Sequence, residues 1–104
     1  MPMLLDRLVR NPLLDPTAKA TVPEGTLAEL TRFYYDTAQT SNKAAMSALT
    51  AIIPVSQIVF GTDFPYRTSS DYVTGLRDCG VFTEAQLVEI ERGNALKLLP
   101  RLAA

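Results

Sequence analysis

Histidine is absent from this 104-residue chain, cysteine occurs once, and no apolar run is long. Each shortage excludes a class of function. Without histidine the chain alone cannot run a Ser-His-Asp triad, a Cys-His pair or a His-ligated zinc site. With Cys79 as its one thiol it forms no intrachain disulfide, a usage that fits a reducing, cytoplasmic setting. Cys79 itself reads as a small, half-buried apolar residue near a helix end. No stretch approaches the roughly 20 apolar residues of a membrane span. Residues 1–6 lack the basic start and apolar run of a signal peptide. Neither sign of charge dominates: 10 Lys+Arg face 11 Asp+Glu, for a net charge of -1. That balance argues against nucleic acid or an anionic membrane as partner. Phosphate-cradling glycine loops, Cys-x-x-Cys pairs and nucleophile elbows are also missing.

What is present is an ordinary globular mixture, 47% hydrophobic and 20% charged. The length suits one small domain, residues 1–104, which buries about 60–70% of its unfolded surface. Seven prolines supply most of the punctuation. Residues 3–10 read as a short helix with Leu4, Leu5, Leu8 and Val9 on one face. Pro12, Pro16, Pro23 and Gly25 make residues 11–25 a loop. Thr26 and Glu29 have capping-box spacing, which predicts a helix over 27–32.

Phe33-Tyr34-Tyr35-Asp36-Thr37 is a short aromatic strand. Ser41 or Asn42 caps the next helix, whose stripe is Ala45, Met46, Ala48, Leu49 and Ile52, and Pro54 stops it. Gln57-Ile58-Val59-Phe60-Gly61 is a second strand, apolar enough for burial on both faces in a parallel sheet. Ser69 or Ser70 caps a helix that runs through Asp78 to a stop at Gly80, with Tyr72, Val73 and Leu76 inward. Thr83 and Gln86 form another capping box. The following helix carries Leu87 and Ile90 inward, meets a break at Gly93, and adds a turn or two from Asn94 before Pro100. Strand, crossover helix and strand make a right-handed parallel βαβ unit. Two strands alone leave two open edges, a marginal sheet.

The chemistry concentrates in Ile58-Val59-Phe60-Gly61-Thr62-Asp63-Phe64-Pro65. Strand alternation sends Asp63 with Gly61 and Val59, and Ile58, Phe60 and Thr62 the other way. Gly61 leaves space beneath Asp63 if that face lines a barrel axis. A carboxylate at the C-terminal end of a barrel strand is a usual catalytic or metal-binding group. An Asp after a strand is also a common turn former. Pro65 holds Phe64 extended. Asp36 and Asp63 end neighbouring strands, so paired carboxylates for acid-base work are a second reading. Arg67 could meet a substrate carboxylate, or remain a solvated surface charge. Tyr34, Tyr35 and Tyr66 read as packing residues with a polar tip, and Asn94 as a helix-end turn residue.

Three segments carry a family resemblance: Arg32-Phe33-Tyr34-Tyr35-Asp36-Thr37-Ala38, then Gln57-Ile58-Val59-Phe60-Gly61-Thr62-Asp63-Phe64-Pro65-Tyr66, then Arg92-Gly93-Asn94-Ala95-Leu96-Lys97-Leu98-Leu99. In order and spacing the chain resembles the C-terminal part of amidohydrolase-related proteins. The likeness is to the branch of aminocarboxymuconate-semialdehyde decarboxylase and related aromatic-acid decarboxylases. It implies a partial (β/α)8 barrel, mainly helical, whose two short parallel strands are the family's strands seven and eight. It also implies a divalent metal, zinc or similar, held by histidines and by the Asp that ends strand eight. Of those ligands only Asp63 carries over, as metal ligand and catalytic group that holds and orients metal-bound water. The implied substrate of the full-length family is a small carboxylic acid, aromatic or unsaturated, which is decarboxylated or, as runner-up, hydrolysed.

The departure is as informative as the match. A catalytic zinc normally takes three protein ligands, and a typical barrel has about 250 residues. The chain therefore reads as a C-terminal segment, inactive in isolation and without tight metal binding of its own. The alternative is a non-catalytic binding or assembly module descended from such an enzyme. Its open strand edges would support self-association or pairing with a missing barrel half.

Overall fold

The computed structural model describes residues 2–10 and 23–103. A 3-10 turn, Pro2–Leu4, leads into helix α1, Leu5–Arg10. Helix α2 is Thr26–Leu30 and strand β1 is Tyr35–Asp36. Helix α3, Lys43–Thr50, crosses over to strand β2, Ile58–Val59, through the 3-10 turn Val55–Gln57. Helix α4 is Ser69–Asp78 and α5 is Glu84–Val88. A π-helical turn, Glu89–Gly93, joins α5 to α6, Asn94–Leu98, and the 3-10 turn Pro100–Leu102 follows. The order of helices and strands is the one the sequence predicts. Of the predicted loop over residues 11–25, residues 11–22 lie outside the described residues.

The two strands pair in parallel, Tyr35 with Ile58 and Asp36 with Val59. Both are shorter than their apolar runs. Phe33 and Tyr34, expected in β1, precede the ladder and are exposed, and Gln57 ends a 3-10 turn. Thr37 extends the pairing beyond the regular ladder. Its N–H donates to the Val59 carbonyl at 3.1 Å, and its hydroxyl takes over at Gly61.

Caps set the helix starts. Asn42 caps α3, its side chain accepting from Ala45 N–H at 3.0 Å. Thr83 and Gln86 form the predicted capping box on α5. Two expectations are corrected. Neither Ser69 nor Ser70 caps α4: Thr68 does, with Asp71 closing the box from inside the first turn. Thr26 is the first residue of α2, so the Thr26–Glu29 pair sits one position too late to cap it; Gly25, at φ 92, holds the N-cap position without a side-chain bond. Gly80 ends α4 as predicted, with φ 69, a conformation that glycine adopts without strain.

The core lies where α3, α4, α5 and the π-turn close over β2. Met46, Leu49, Ile53, Ile58, Leu76, Cys79, Leu87 and Ile90 form it, and Phe60 packs against its edge. Ile58 and Phe60 thus face the helices, as strand alternation predicts. Cys79 is more buried than expected, its thiol donating to the Leu76 carbonyl.

Asn94 corrects another expectation. It does not serve a helix-end turn. The π-turn carries the chain on without a break at Gly93, and Asn94 enters the core, 1% exposed. Its amide donates to the carbonyls of Val55 and Ile58, each at 2.8 Å. The last helices are thereby bolted to the start of β2.

Candidate functional site at the strand ends

The candidate residues gather where the chain leaves β1 and β2. Thr37, fully buried, is the pin between the two exits. Its hydroxyl donates to the Gly61 carbonyl at 3.0 Å and accepts from Gly61 N–H at 3.1 Å. One side chain thus stands in for a residue of the ladder. Beyond it Gln39 turns in the left-handed region, φ 60, and its N–H donates to the Tyr72 hydroxyl at 2.9 Å. Tyr72 is buried at the first turns of α4, so the β1 exit is tied to that helix.

Asp63 also adopts a left-handed conformation, φ 56. Asp tolerates that region better than most residues. The ladder ends at Val59, so Asp63 is placed by a turn and not by strand alternation. Tyr66 N–H closes that turn on the Asp63 carbonyl at 3.1 Å, across a cis Phe64–Pro65 bond. The Asp63 carboxylate is exposed and receives the Gln39 side-chain amide at 3.3 Å.

Asp36 is engaged with its own backbone. Its Oδ1 accepts from Ala38 N–H at 2.8 Å, a local turn bond. Its side chain also fills the space beside Gly61: a Cβ added there would sit 2.9 Å from the Asp36 Cβ. The room predicted beneath Asp63 is therefore taken by Asp36. Arg67 lies exposed on the loop that follows. The Asp71 carboxyl is held below its usual range by the hydroxyl and then the N–H of Thr68, with the charge of Arg67 adding a smaller push. Tyr66 is 80% exposed and Tyr34 38%, so neither packs as expected. Tyr35 does: its hydroxyl donates to the Leu30 carbonyl at 2.8 Å, and burial raises its pKa above the ordinary 10.0.

Three participants escaped the sequence reading in these roles. Thr37 was read as a strand residue and Tyr72 as a core residue, while Gln39 gave no signal. Their polar functions depend on partners 24 to 33 residues away.

No protein-family model matches the chain. Individual proteins do. It is 31% identical over 106 residues to 6-methylsalicylic acid decarboxylase of Penicillium expansum, which takes in 98% of this chain and 32% of that protein. It is 35% identical over 74 residues to the enzyme of the same name from Aspergillus aculeatus, covering 67% of this chain and 22% of that one. These relatives are aromatic-acid decarboxylases of the amidohydrolase-related family, and the chain is similar to part of them. The fold agrees. The crystal structure of 2,6-dihydroxybenzoate decarboxylase from Rhizobium superposes with a TM-score of 0.71 at 20% identity, over 99% of this chain and 32% of that one. The chain thus spans about a third or less of the length of the relatives it matches.

The family resemblance implies a divalent metal, and the side chains on hand do not fit one. Among the described residues no three His, Cys, Asp or Glu side chains come together as a metal-binding group. Asp63 offers one carboxylate, Asp36 is turned to its own backbone, and the chain has no histidine. A catalytic zinc normally needs three protein ligands.

Proposed function

We propose that this chain is the C-terminal segment of a metal-dependent amidohydrolase-type carboxy-lyase, residues 1–104 forming part of a (β/α)8 barrel. The substrate class is a small aromatic or unsaturated carboxylic acid. The observation that carries the reading is the match to 6-methylsalicylic acid decarboxylase over 98% of the chain, with Asp63 at the exit of β2. In this reading Asp63 is the one metal ligand that the chain contributes, and the other ligands come from histidine-bearing strands outside it. Gln39 holds the Asp63 carboxylate by one oxygen, and the other oxygen has no hydrogen bond among the described residues. Arg67 and Asp36 are the candidates for substrate contact. The first is exposed and cationic; the second is committed to the Ala38 turn, which favours Arg67.

The isolated chain is inactive on this account, and no reaction step is assigned to its side chains alone. A buried free thiol at Cys79 and the lack of a membrane-spanning helix among the described residues suit a cytoplasmic enzyme. Sequencing the DNA ahead of the Met1 codon tests the reading. It predicts an in-frame coding stretch that contains a His-x-His strand. Unrelated DNA with a promoter would overturn it in favour of a stand-alone module.

A further inference from the structure

Gln39 is anchored at its backbone and only half used at its side chain. Its φ of 60 puts a non-glycine residue in the left-handed region, and its N–H is tied to the Tyr72 hydroxyl at 2.9 Å. Tyr72 is 1% exposed, so that anchor belongs to the interior. Gln39 itself is exposed, and one side-chain N–H reaches Asp63 Oδ2 at 3.3 Å. A primary amide carries two N–H donors and a carbonyl acceptor. Among the described residues, neither the second N–H nor Oε1 of Gln39 has a hydrogen bond.

An ionised carboxylate only accepts, so the Asp63 contact fixes which end of the amide faces it and leaves Oε1 for another group. The unused donor and acceptor lie past the end of β1, beside Asp63. The C-terminal ends of parallel strands are where a barrel builds its substrate site. The chemistry of the amide narrows what it receives there. A substrate carboxylate can take only the N–H, and it meets the lone pairs of Oε1. A hydroxyl donates to Oε1 or accepts from the N–H, so it pairs with the amide in either case. Arg67, the exposed cation on the loop after Asp63, suits the acid group instead.

We infer that Gln39 is a specificity-determining residue, its unused amide atoms receiving a hydroxyl on the ring of the substrate acid. The inference rests on the proposed function and narrows its substrate class to hydroxylated aromatic acids. A site built to hydrogen-bond a hydroxyl discriminates against the analogue that lacks it, because its own polar atoms are then left unpaired. A residue that only positioned Asp63 would affect both acids alike.

The experiment coexpresses the full chain with the part of the Penicillium expansum protein that lies outside the match. Calorimetry then reads the affinity of the complex for 2-hydroxybenzoate and for benzoate, in wild type and in Gln39→Met. Methionine keeps the length of the side chain and removes the amide. The wild type should prefer 2-hydroxybenzoate by about tenfold or more. Gln39→Met should lower that preference by roughly fivefold or more and leave benzoate affinity nearly unchanged. Should that variant fail to assemble, Gln39→Asn carries the same expectation: asparagine suits the left-handed backbone and withdraws the amide by one methylene. An unchanged preference overturns the inference. So does an equal weakening of both acids, which makes Gln39 a positioning residue only, and so does a wild type without preference. Failure of the proposed function reads differently: no complex forms, or the wild type binds neither acid, and the inference falls with it.

Discussion

Gln39 and Asp63 meet across the two strand exits, the Gln39 amide 3.3 Å from Asp63 Oδ2, each residue in a left-handed conformation. Neither is glycine, and such residues cluster at sites where the surrounding structure over-determines them. Here the determinants are visible: Tyr72 holds Gln39 from one side, and Thr37 fixes Gly61, two residues before Asp63. The pair is therefore a positioned carboxylate, not a free loop residue. Because the contact is exposed, its own contribution is small. A double-mutant cycle of Gln39→Ala and Asp63→Ala, read by urea denaturation, should give a coupling of about 0.5 kcal/mol. Tyr72→Phe should remove the ring hydroxyl and raise the exchange rate of Gln39 N–H.

Thr37→Val keeps the shape of the side chain and removes both hydroxyl bonds to Gly61. With the Gly61 N–H and carbonyl left unpaired in a part-buried setting, the loss should be about 1–3 kcal/mol. Thr37→Ser should restore most of it. The check is denaturant unfolding together with exchange at Gly61 N–H.

Asn94→Ala should be among the most damaging substitutions in the chain. It strands the Ile58 carbonyl, leaves the Val55 carbonyl with only the Ile58 N–H, and opens a void in the core, for roughly 2–4 kcal/mol by urea denaturation. Asn94 Oδ1 has no hydrogen-bond partner among the described residues. Asn94→Asp should cost as much or more, since a carboxylate cannot donate to either carbonyl and is charged in a buried place.

Close backbone approach separates two glycines. A Cβ on Gly75 would lie 2.6 Å from the Ser41 carbonyl oxygen, which is main chain. A Cβ on Gly61 would meet the Asp36 side chain at 2.9 Å. Gly75→Ala should therefore destabilise more than Gly61→Ala, and Asp36→Gly should rescue only the second. Thermal unfolding of each glycine variant, alone and combined with Asp36→Gly, decides it.

Acid should loosen the start of α4. The Asp71 carboxyl titrates below its ordinary 3.8 because Thr68 bonds its ionised form. Its folded pKa is thus depressed, so the stability it lends is present above about pH 4 and is lost as pH falls through the lowered value. Thr68→Val or Asp71→Asn should flatten the acid limb of a stability-against-pH curve.

The legible part of the fold was the part set by local chemistry. Asn42, the Thr83–Gln86 box, Gly80 and the apolar run at Ile58 announce their elements within a few residues. Thr68 was missed because three adjacent hydroxyl residues compete for one cap, and the winner is the one with Asp71 three positions on. Gly93 read as a break because a helix pattern has no mark for a π-turn, which the burial of Asn94 accompanies. Asp63 was legible as a carboxylate at a strand end. Its true partner was not: Gln39 comes from the other strand exit, and only the parallel register brings it there.

The central claim is that Asp63 belongs to a metal site whose remaining ligands lie in a complementary barrel segment. Zinc content of the complex formed on coexpression with the part of the Penicillium expansum protein outside the match, measured for wild type and Asp63→Asn beside the chain alone, tests it most directly. The account predicts one tightly held ion in the wild-type complex, a marked loss in the variant, and none on the chain alone. A tightly held ion on the isolated chain, or a complex that keeps its ion after Asp63→Asn, would contradict it.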